Sequence, residues 1–162
     1  MQQRIMIAMA LMLSPKLIIA DEPTTALDVT TQAQVFDLIR AMKREETSML
    51  LITHEMGVVW EMCERILVMY AARIVEAGTR EDIFSDPKHP YTRGLLNAVP
   101  KLTDAREALK DIPGQVPSPF AYPAGCHFEP RCPDAMARCK LEKPPFYDCG
   151  PGHQAACFLM SE

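Results

Sequence analysis

Residues Leu17 to Asp28 read LIIADEPTTALD, and the fold turns on how this stretch is taken. Four apolar residues, Leu17, Ile18, Ile19 and Ala20, run directly into two adjacent acids, Asp21 and Glu22. A short apolar run of this kind fits a strand buried in a parallel sheet. Ligands of open α/β sheets sit beyond the carboxyl ends of the strands, which is where the acid pair falls. Asp21 offers carboxylate oxygens to Mg²⁺, a hard cation. Glu22 is placed to orient or deprotonate a water attacking a phosphoryl group. Pro23 stops the strand, and the polar turn Thr24-Thr25 leads to Ala26, Leu27 and Asp28. The bland alternative is a strand followed by an acidic turn.

Outward from this stretch the chain alternates helices and strands. Met1-Gln2-Gln3-Arg4 opens a helix that ends before Ser14-Pro15, because proline breaks it. Its all-round apolarity and its methionines predict a helix buried in a core. A second helix runs roughly from Val29 to Arg44, capped by Asp28 or Thr30, with Val35, Leu38, Ile39 and Met42 on its buried face. Lys43 to Glu46 make a solvated end. Ser48 to Thr53 is the next strand, and His54 follows on the same rim as Asp21 and Glu22. Met56 to Glu64 continues as a helix, with Trp60 and Cys63 packed inward. Arg65–Tyr70 and Arg73–Ala77 form a hairpin across Ala71-Ala72, where a primed turn needs positive φ and alanine predicts either another turn type or local strain. Gly78-Thr79 starts a short helix carrying Glu81 and Asp82.

At 162 residues, the chain is one domain or one domain with a small appendage. It is 48% hydrophobic and carries a formal net charge of −4 with no basic stripe, which argues against nucleic acid as a partner. No apolar run reaches the length of a transmembrane helix.

The string DEPTTALD is more specific than its parts and resembles the Walker B motif and D-loop of ABC-type ATPases. Gln2, Gln3 and Arg4 resemble the residues just after the signature loop of that family, and Thr53-His54-Glu55 resembles its switch histidine. The Leu-Ser-Gly-Gly part, a GxxxxGK[ST] loop and the glutamine loop are absent from the sequence. The fold class expected is therefore α/β, the C-terminal half of a P-loop ABC-type ATPase core with a small Cys/Pro-rich, metal-stabilised extension. The resemblance implies catalytic Glu22 and His54, with His54 contacting the γ-phosphate. It implies Asp21, Asp28 and Gln2 as cofactor-binding residues for ATP and Mg²⁺. Asp28 would work across a nucleotide-sandwich dimer.

Asp86 to Pro100 reads DPKHPYTRGLLNAVP, and HPYTRGLL resembles the segment marking the ATPase subunits of oligopeptide and dipeptide importers and some nickel importers. His89 and Tyr91 are read as packing or docking residues. Lys101 to Pro123 is a proline-rich connector running extended over the surface.

Cys126, Cys132, Cys139, Cys149 and Cys157 crowd the last forty residues, where little apolar core is available, so a cross-link or a metal is needed. The gaps are five residues from Cys126 to Cys132, six to Cys139 and seventeen to Cys157, none of them zinc-finger spacing. The segment GCHFEPRCPDAMARC…AC resembles the C-terminal extension of peptide-importer ATPases, some of which carry a [4Fe–4S] cluster. On that resemblance Cys126, Cys132, Cys139 and Cys157 are the ligands and Cys149 is left over. Zinc is the alternative, with His127 and His153 as further ligands.

The expected organisation is a partial ATPase core over residues 1–85 and an importer-type C-terminal region over 86–162, with the cysteine cluster at about 124–160. The expected function is a partial ATP-hydrolysing subunit that energises oligopeptide or dipeptide import from the cytoplasmic face of the membrane, peripherally. Its partners would be a second ATPase subunit, transmembrane permease subunits and, indirectly, an extracytoplasmic peptide-binding protein. The chain alone is expected to bind ATP poorly and not to turn it over. Two rivals remain: a non-catalytic, metal-stabilised interaction module, and a secreted disulfide-linked domain whose signal peptide would be the apolar run Ile5 to Leu13.

Overall fold

A computed structural model describes residues 2–25, 27–42, 46–99 and 111–161, with Gln2, Gln3, Arg4, Val29 and Met42 described in backbone only. The expectations for Ala26, for the charged run Lys43 to Glu45 and for 101–110 lie outside the described residues. The chain forms two compact units, residues 1–63 and 64–162.

In the first unit, β1 (Leu17–Asp21) pairs in parallel with β2 (Ser48–Ile52), in the register Leu17↔Ser48 to Asp21↔Ile52. Helix α1 (Gln2–Leu11) precedes β1, α2 (Val29–Met42) links the two strands, and α3 (Met56–Met62) follows β2. One face of this parallel pair is closed by α2 and α3. Val35, Phe36, Ile39 and Val58 form the cluster, and Ile7, Leu27, Met49, Leu51 and Met62 pack against it. Asp28 supplies the cap of α2: its carboxylate accepts the Thr31 backbone N–H at 3.0 Å and the Thr31 hydroxyl at 2.7 Å. The other strand face is open, with Leu17, Ile19, Leu50 and Ile52 exposed.

Two packing expectations are corrected here. Helix α1 is not a buried core helix: Met6 and Met9 are 68% and 65% exposed, and among its described side chains Ile7 alone packs against the cluster. Trp60 and Cys63 are only half-buried rather than packed fully inward, Trp60 being 46% exposed. Both depended on counting apolar residues, whereas burial depends on what faces them.

The second unit is built on a four-stranded antiparallel sheet in the order β3-β4-β6-β5, comprising β3 (Arg65–Tyr70), β4 (Arg73–Thr79), β5 (Tyr147–Gly150) and β6 (His153–Ala155). The hairpin turn keeps positive φ at both Ala71 (45°) and Ala72 (60°), so alanine occupies a left-handed turn suited to glycine. A bulge opposite Val68 and Met69 breaks the alternation of β4, and both Val75 and Glu76 are buried. Helix α4 (Arg80–Ser85) starts on a capping box between Thr79 and Asp82. Helix α5 (Pro90–Asn97) has His89 as its cap and Pro90 in its first turn. Two 3₁₀ turns, Glu129–Arg131 and Phe158–Met160, and the short α6 (Ala137–Leu141) carry the cysteine segment. The hairpin and the cysteine segment share this sheet: Glu76 pairs with Ala155 and Ala77 with Gln154. The hairpin therefore belongs to the second compact unit.

Candidate functional site

In the first unit the parallel register brings Asp21, Glu22 and His54 to one strand-end rim. The Glu22 backbone N–H donates to the Ile52 carbonyl at 2.9 Å, extending the ladder by one residue. Glu22 then turns in the left-handed region, with φ +44°, an unusual conformation for a residue with a side chain. That turn carries its carboxylate to His54, whose Nδ1 lies 2.7 Å from Glu22 Oε1. The Thr25 hydroxyl donates to the other oxygen at 3.2 Å. With a carboxylate as partner, Nδ1 of His54 carries the proton. The His54 bond is the main reason the Glu22 carboxyl is held below its ordinary value, and the Glu22 carboxylate in turn raises His54. Glu55, beside His54, is held by Gln32 Nε2 at 2.8 Å and by the buried Thr24 hydroxyl at 3.5 Å. The Asp21 side chain is exposed and takes no hydrogen bond from the described residues. Asp28 caps α2, and the Thr31 hydrogen bonds hold its carboxyl below the ordinary value. The side chain of Gln2 lies outside the described residues.

In the second unit the four cysteines singled out by the resemblance converge. Cys126, Cys132, Cys139 and Cys157 line one cavity of about 10 Å³, room for about a single water. They arrive from the turn leading into one 3₁₀ segment, the residue just after it, the middle of α6 and the residue just before the last 3₁₀ turn. The Cys126 backbone N–H donates to the Cys139 carbonyl at 2.8 Å, clamping two of these segments together. The clamp requires glycine at 125, since an added Cβ would lie 2.2 Å from the Cys139 oxygen. Burial pushes the thiols of Cys126 and Cys157 up and that of Cys132 to about 11. Among the described residues, no three histidine, cysteine or acidic side chains are gathered tightly enough to hold a metal ion, and all six cysteines are free. The thiols share a cavity without forming a closed cage.

Cys149 is apart from the cavity, with its Sγ 3.6 Å from the Tyr147 carbonyl. His127 and His153 do not line it either. His127 Nδ1 bonds the Ala71 carbonyl at 2.8 Å, and His153 Nε2 bonds Glu76 Oε1 at 2.8 Å. The histidine that does line the cavity is His89, which sequence reading placed among packing residues. Burial lowers His89 to about 4, so it is neutral. Sequence reasoning also missed Glu76. It is wholly buried and accepts the backbone N–H groups of Lys88 at 2.7 Å and His89 at 3.0 Å besides His153. Its only signal was an acid between apolar strand residues, which alternation reads as solvent-facing.

A family profile described as "Oligopeptide/dipeptide transporter, C-terminal region" matches residues 75–139. Over its whole length the chain is 52% identical to the oligopeptide transport ATP-binding protein OppD of Salmonella typhimurium, of which it covers 48%. The chain is related to the ATP-binding subunits of peptide importers. It is also 49% identical to the oligopeptide transport ATP-binding protein AppD of Bacillus subtilis, covering 50% of it. The dipeptide transport ATP-binding protein DppD of Haemophilus influenzae is 49% identical over 93% of the chain and 46% of its own length. The chain thus spans about half the length of these importer relatives. Among the described residues no helix is long and apolar enough to cross a membrane.

Proposed function

We propose that this chain carries the water-activating part of an ATP site in a subunit that energises oligopeptide or dipeptide import. The observation that carries the reading is the 2.7 Å contact between Glu22 and His54 at the ends of two parallel strands. Mg²⁺, when bound, neutralises charge on the phosphates. The open carboxylate of Asp21 is an oxygen donor suited to holding it. Glu22, kept ionised by His54 and Thr25, takes a proton from the attacking water. His54 is fixed through Nδ1, which leaves Nε2 for a γ-phosphate oxygen, and its raised pKa favours the doubly protonated ring that donates there. Asp28 both caps α2 and serves the facing subunit of a nucleotide-sandwich dimer. Peripheral attachment to permease subunits on the cytoplasmic face completes the assignment, with a peptide-binding protein delivering substrate from outside.

The same reading gives the cysteine cavity a [4Fe–4S] cluster held by Cys126, Cys132, Cys139 and Cys157, with zinc as the alternative metal. The four cysteines bring soft sulfur donors of the kind such a group takes, and their cavity of about 10 Å³ must widen to admit it. Deprotonation is the step that must accompany loading, because burial keeps the thiols of Cys126, Cys132 and Cys157 neutral. With His127 and His153 engaged elsewhere, the donors suit the cluster better than a mixed zinc site.

The sequence has no GxxxxGK[ST] loop to cradle phosphates. Purified alone, the chain is expected to release no phosphate from ATP. Mixed with the N-terminal portion of a peptide-importer ATPase that supplies this loop, it is expected to hydrolyse ATP. Robust hydrolysis by the unmixed chain contradicts the proposal.

A further inference from the structure

We propose that Glu55 is a positioning residue for the Glu22–His54 contact, its carboxylate clamping the turn that carries His54 to the first turn of α2 through Gln32; this rests on the reading of that contact above. The His54 side chain is 79% exposed, so packing does not fix its ring, and Glu22 is its one hydrogen-bond partner among the described residues. Where the ring sits is therefore set by the backbone of Thr53 to Glu55, between the last ladder bond, at Ile52, and the start of α3. Glu55 occupies the N-cap of α3, a place that favours serine, threonine, asparagine or aspartate, and its side chain makes no cap bond. Its carboxylate is turned elsewhere. Gln32 Nε2 donates to Oε2 at 2.8 Å, and the buried Thr24 hydroxyl approaches Oε1 at 3.5 Å. Glu55 and Gln32 are both half-buried, so the bond between them is charge-assisted and partly shielded from water. Thr53 Oγ1 accepts the Glu55 backbone N–H at 3.2 Å, which closes the turn around His54. Gln32 stands one turn beyond Asp28, to whose carbonyl its backbone N–H donates at 2.9 Å. Thr24 stands two residues after Glu22, beside the Thr25 hydroxyl that holds the Glu22 carboxylate. The Glu55 carboxylate thus meets the segments that carry Glu22, His54 and Asp28. Without the Gln32 bond the turn keeps only its backbone links to β2 and α3, and the exposed ring is free to leave Glu22. Glu55 also acts on His54 as a nearby negative charge, a weaker cause of its raised value than the Glu22 contact. The two roles separate experimentally, because the Gln32 amide is neutral.

The test is a nuclear magnetic resonance titration of His54 in the full chain, with far-UV circular dichroism as the check on folding. Gln32→Met keeps the length of the stem and loses the amide, and Gln32→Ala removes the stem while keeping a strong helix former. Both leave the Glu55 charge in place. Glu55→Gln removes the charge and keeps an acceptor for Gln32. Each variant is measured alone, and Gln32→Met also in combination with Glu22→Gln. Both Gln32 variants are expected to lower the His54 midpoint toward 6.5, by at least about half of the drop that Glu22→Gln produces. Glu55→Gln is expected to lower it less, and Gln32→Met to lower it no further when combined with Glu22→Gln. A midpoint that responds to Glu22→Gln but to neither Gln32 variant overturns the clamp and leaves the acid–histidine contact standing. A larger drop in Glu55→Gln than in the Gln32 variants also overturns it, since Glu55 would then act by charge. If His54 does not respond to Glu22→Gln, the contact itself fails and the role of Glu55 falls with it.

Discussion

A side chain at Gly125 would put its Cβ 2.2 Å from the carbonyl oxygen of Cys139, with Lys140 C and O at 2.7 and 2.8 Å. These are backbone atoms, so relief requires the segments bearing Cys126 and Cys139 to part. Gly125→Ala is expected to cost at least about 1–3 kcal/mol, the usual range for overpacking, read as a lower urea midpoint. It is also expected to abolish iron retention after reconstitution. Full stability would contradict the close approach.

Ala71 and Ala72 hold the hairpin turn at positive φ, and His127 pins it through the Ala71 carbonyl. Ala72→Gly is expected to stabilise the chain by about 1 kcal/mol by removing left-handed strain. The check is a raised urea midpoint with an unchanged slope.

Glu76 is buried with three donors converging on it, from Lys88, His89 and His153. Glu76→Ala leaves those donors unpaired and is expected to cost at least about 1–3 kcal/mol, as leaving buried donors unsatisfied does. Because one donor is the backbone of His89, the variant is also expected to disturb the cysteine cavity. A loss below about 1 kcal/mol would show that the donors find other acceptors.

The Glu22–His54 contact makes a prediction in pH. His54 is raised above 6.5, so its contribution is complete below that value and fades as pH rises through the raised one. Glu22 is lowered from 4.5, so its contribution is present above that value and fades as pH falls through the lowered one. Both partners are charged between those limits. An imidazole titration followed by nuclear magnetic resonance is expected to place His54 above 6.5, and Glu22→Gln is expected to bring it back toward that value. An identical titration in the two proteins would remove the contact.

Much of this was legible in the residues. Leu17 to Ala20 and Ser48 to Ile52 are short apolar runs next to turn residues, and both became strands of a parallel pair. Asp28 and Thr79 are cap residues by type and cap helices here. Cys126, Cys132, Cys139 and Cys157 were named by resemblance and line one cavity. Three things were not legible. Burial of Glu76 follows from a bulge, and a bulge inverts the alternation that sequence reading relies on. Strands β5 and β6 are four and three residues long, too short for a period, and they exist because β4 offers an edge. The exposure of α1 depends on which neighbours cover it, which composition does not encode.

The most direct measurement of the central claim is phosphate release by the mixture of this chain with the phosphate-binding portion of a relative, compared with the same mixture carrying Glu22→Gln. Glutamine keeps the size and can still bond His54, but it cannot take a proton. ATP is expected still to bind while hydrolysis falls by about 10²–10⁴-fold, the usual share of a general base. Hydrolysis at the unmodified rate with Glu22→Gln would contradict it and move water activation to another residue.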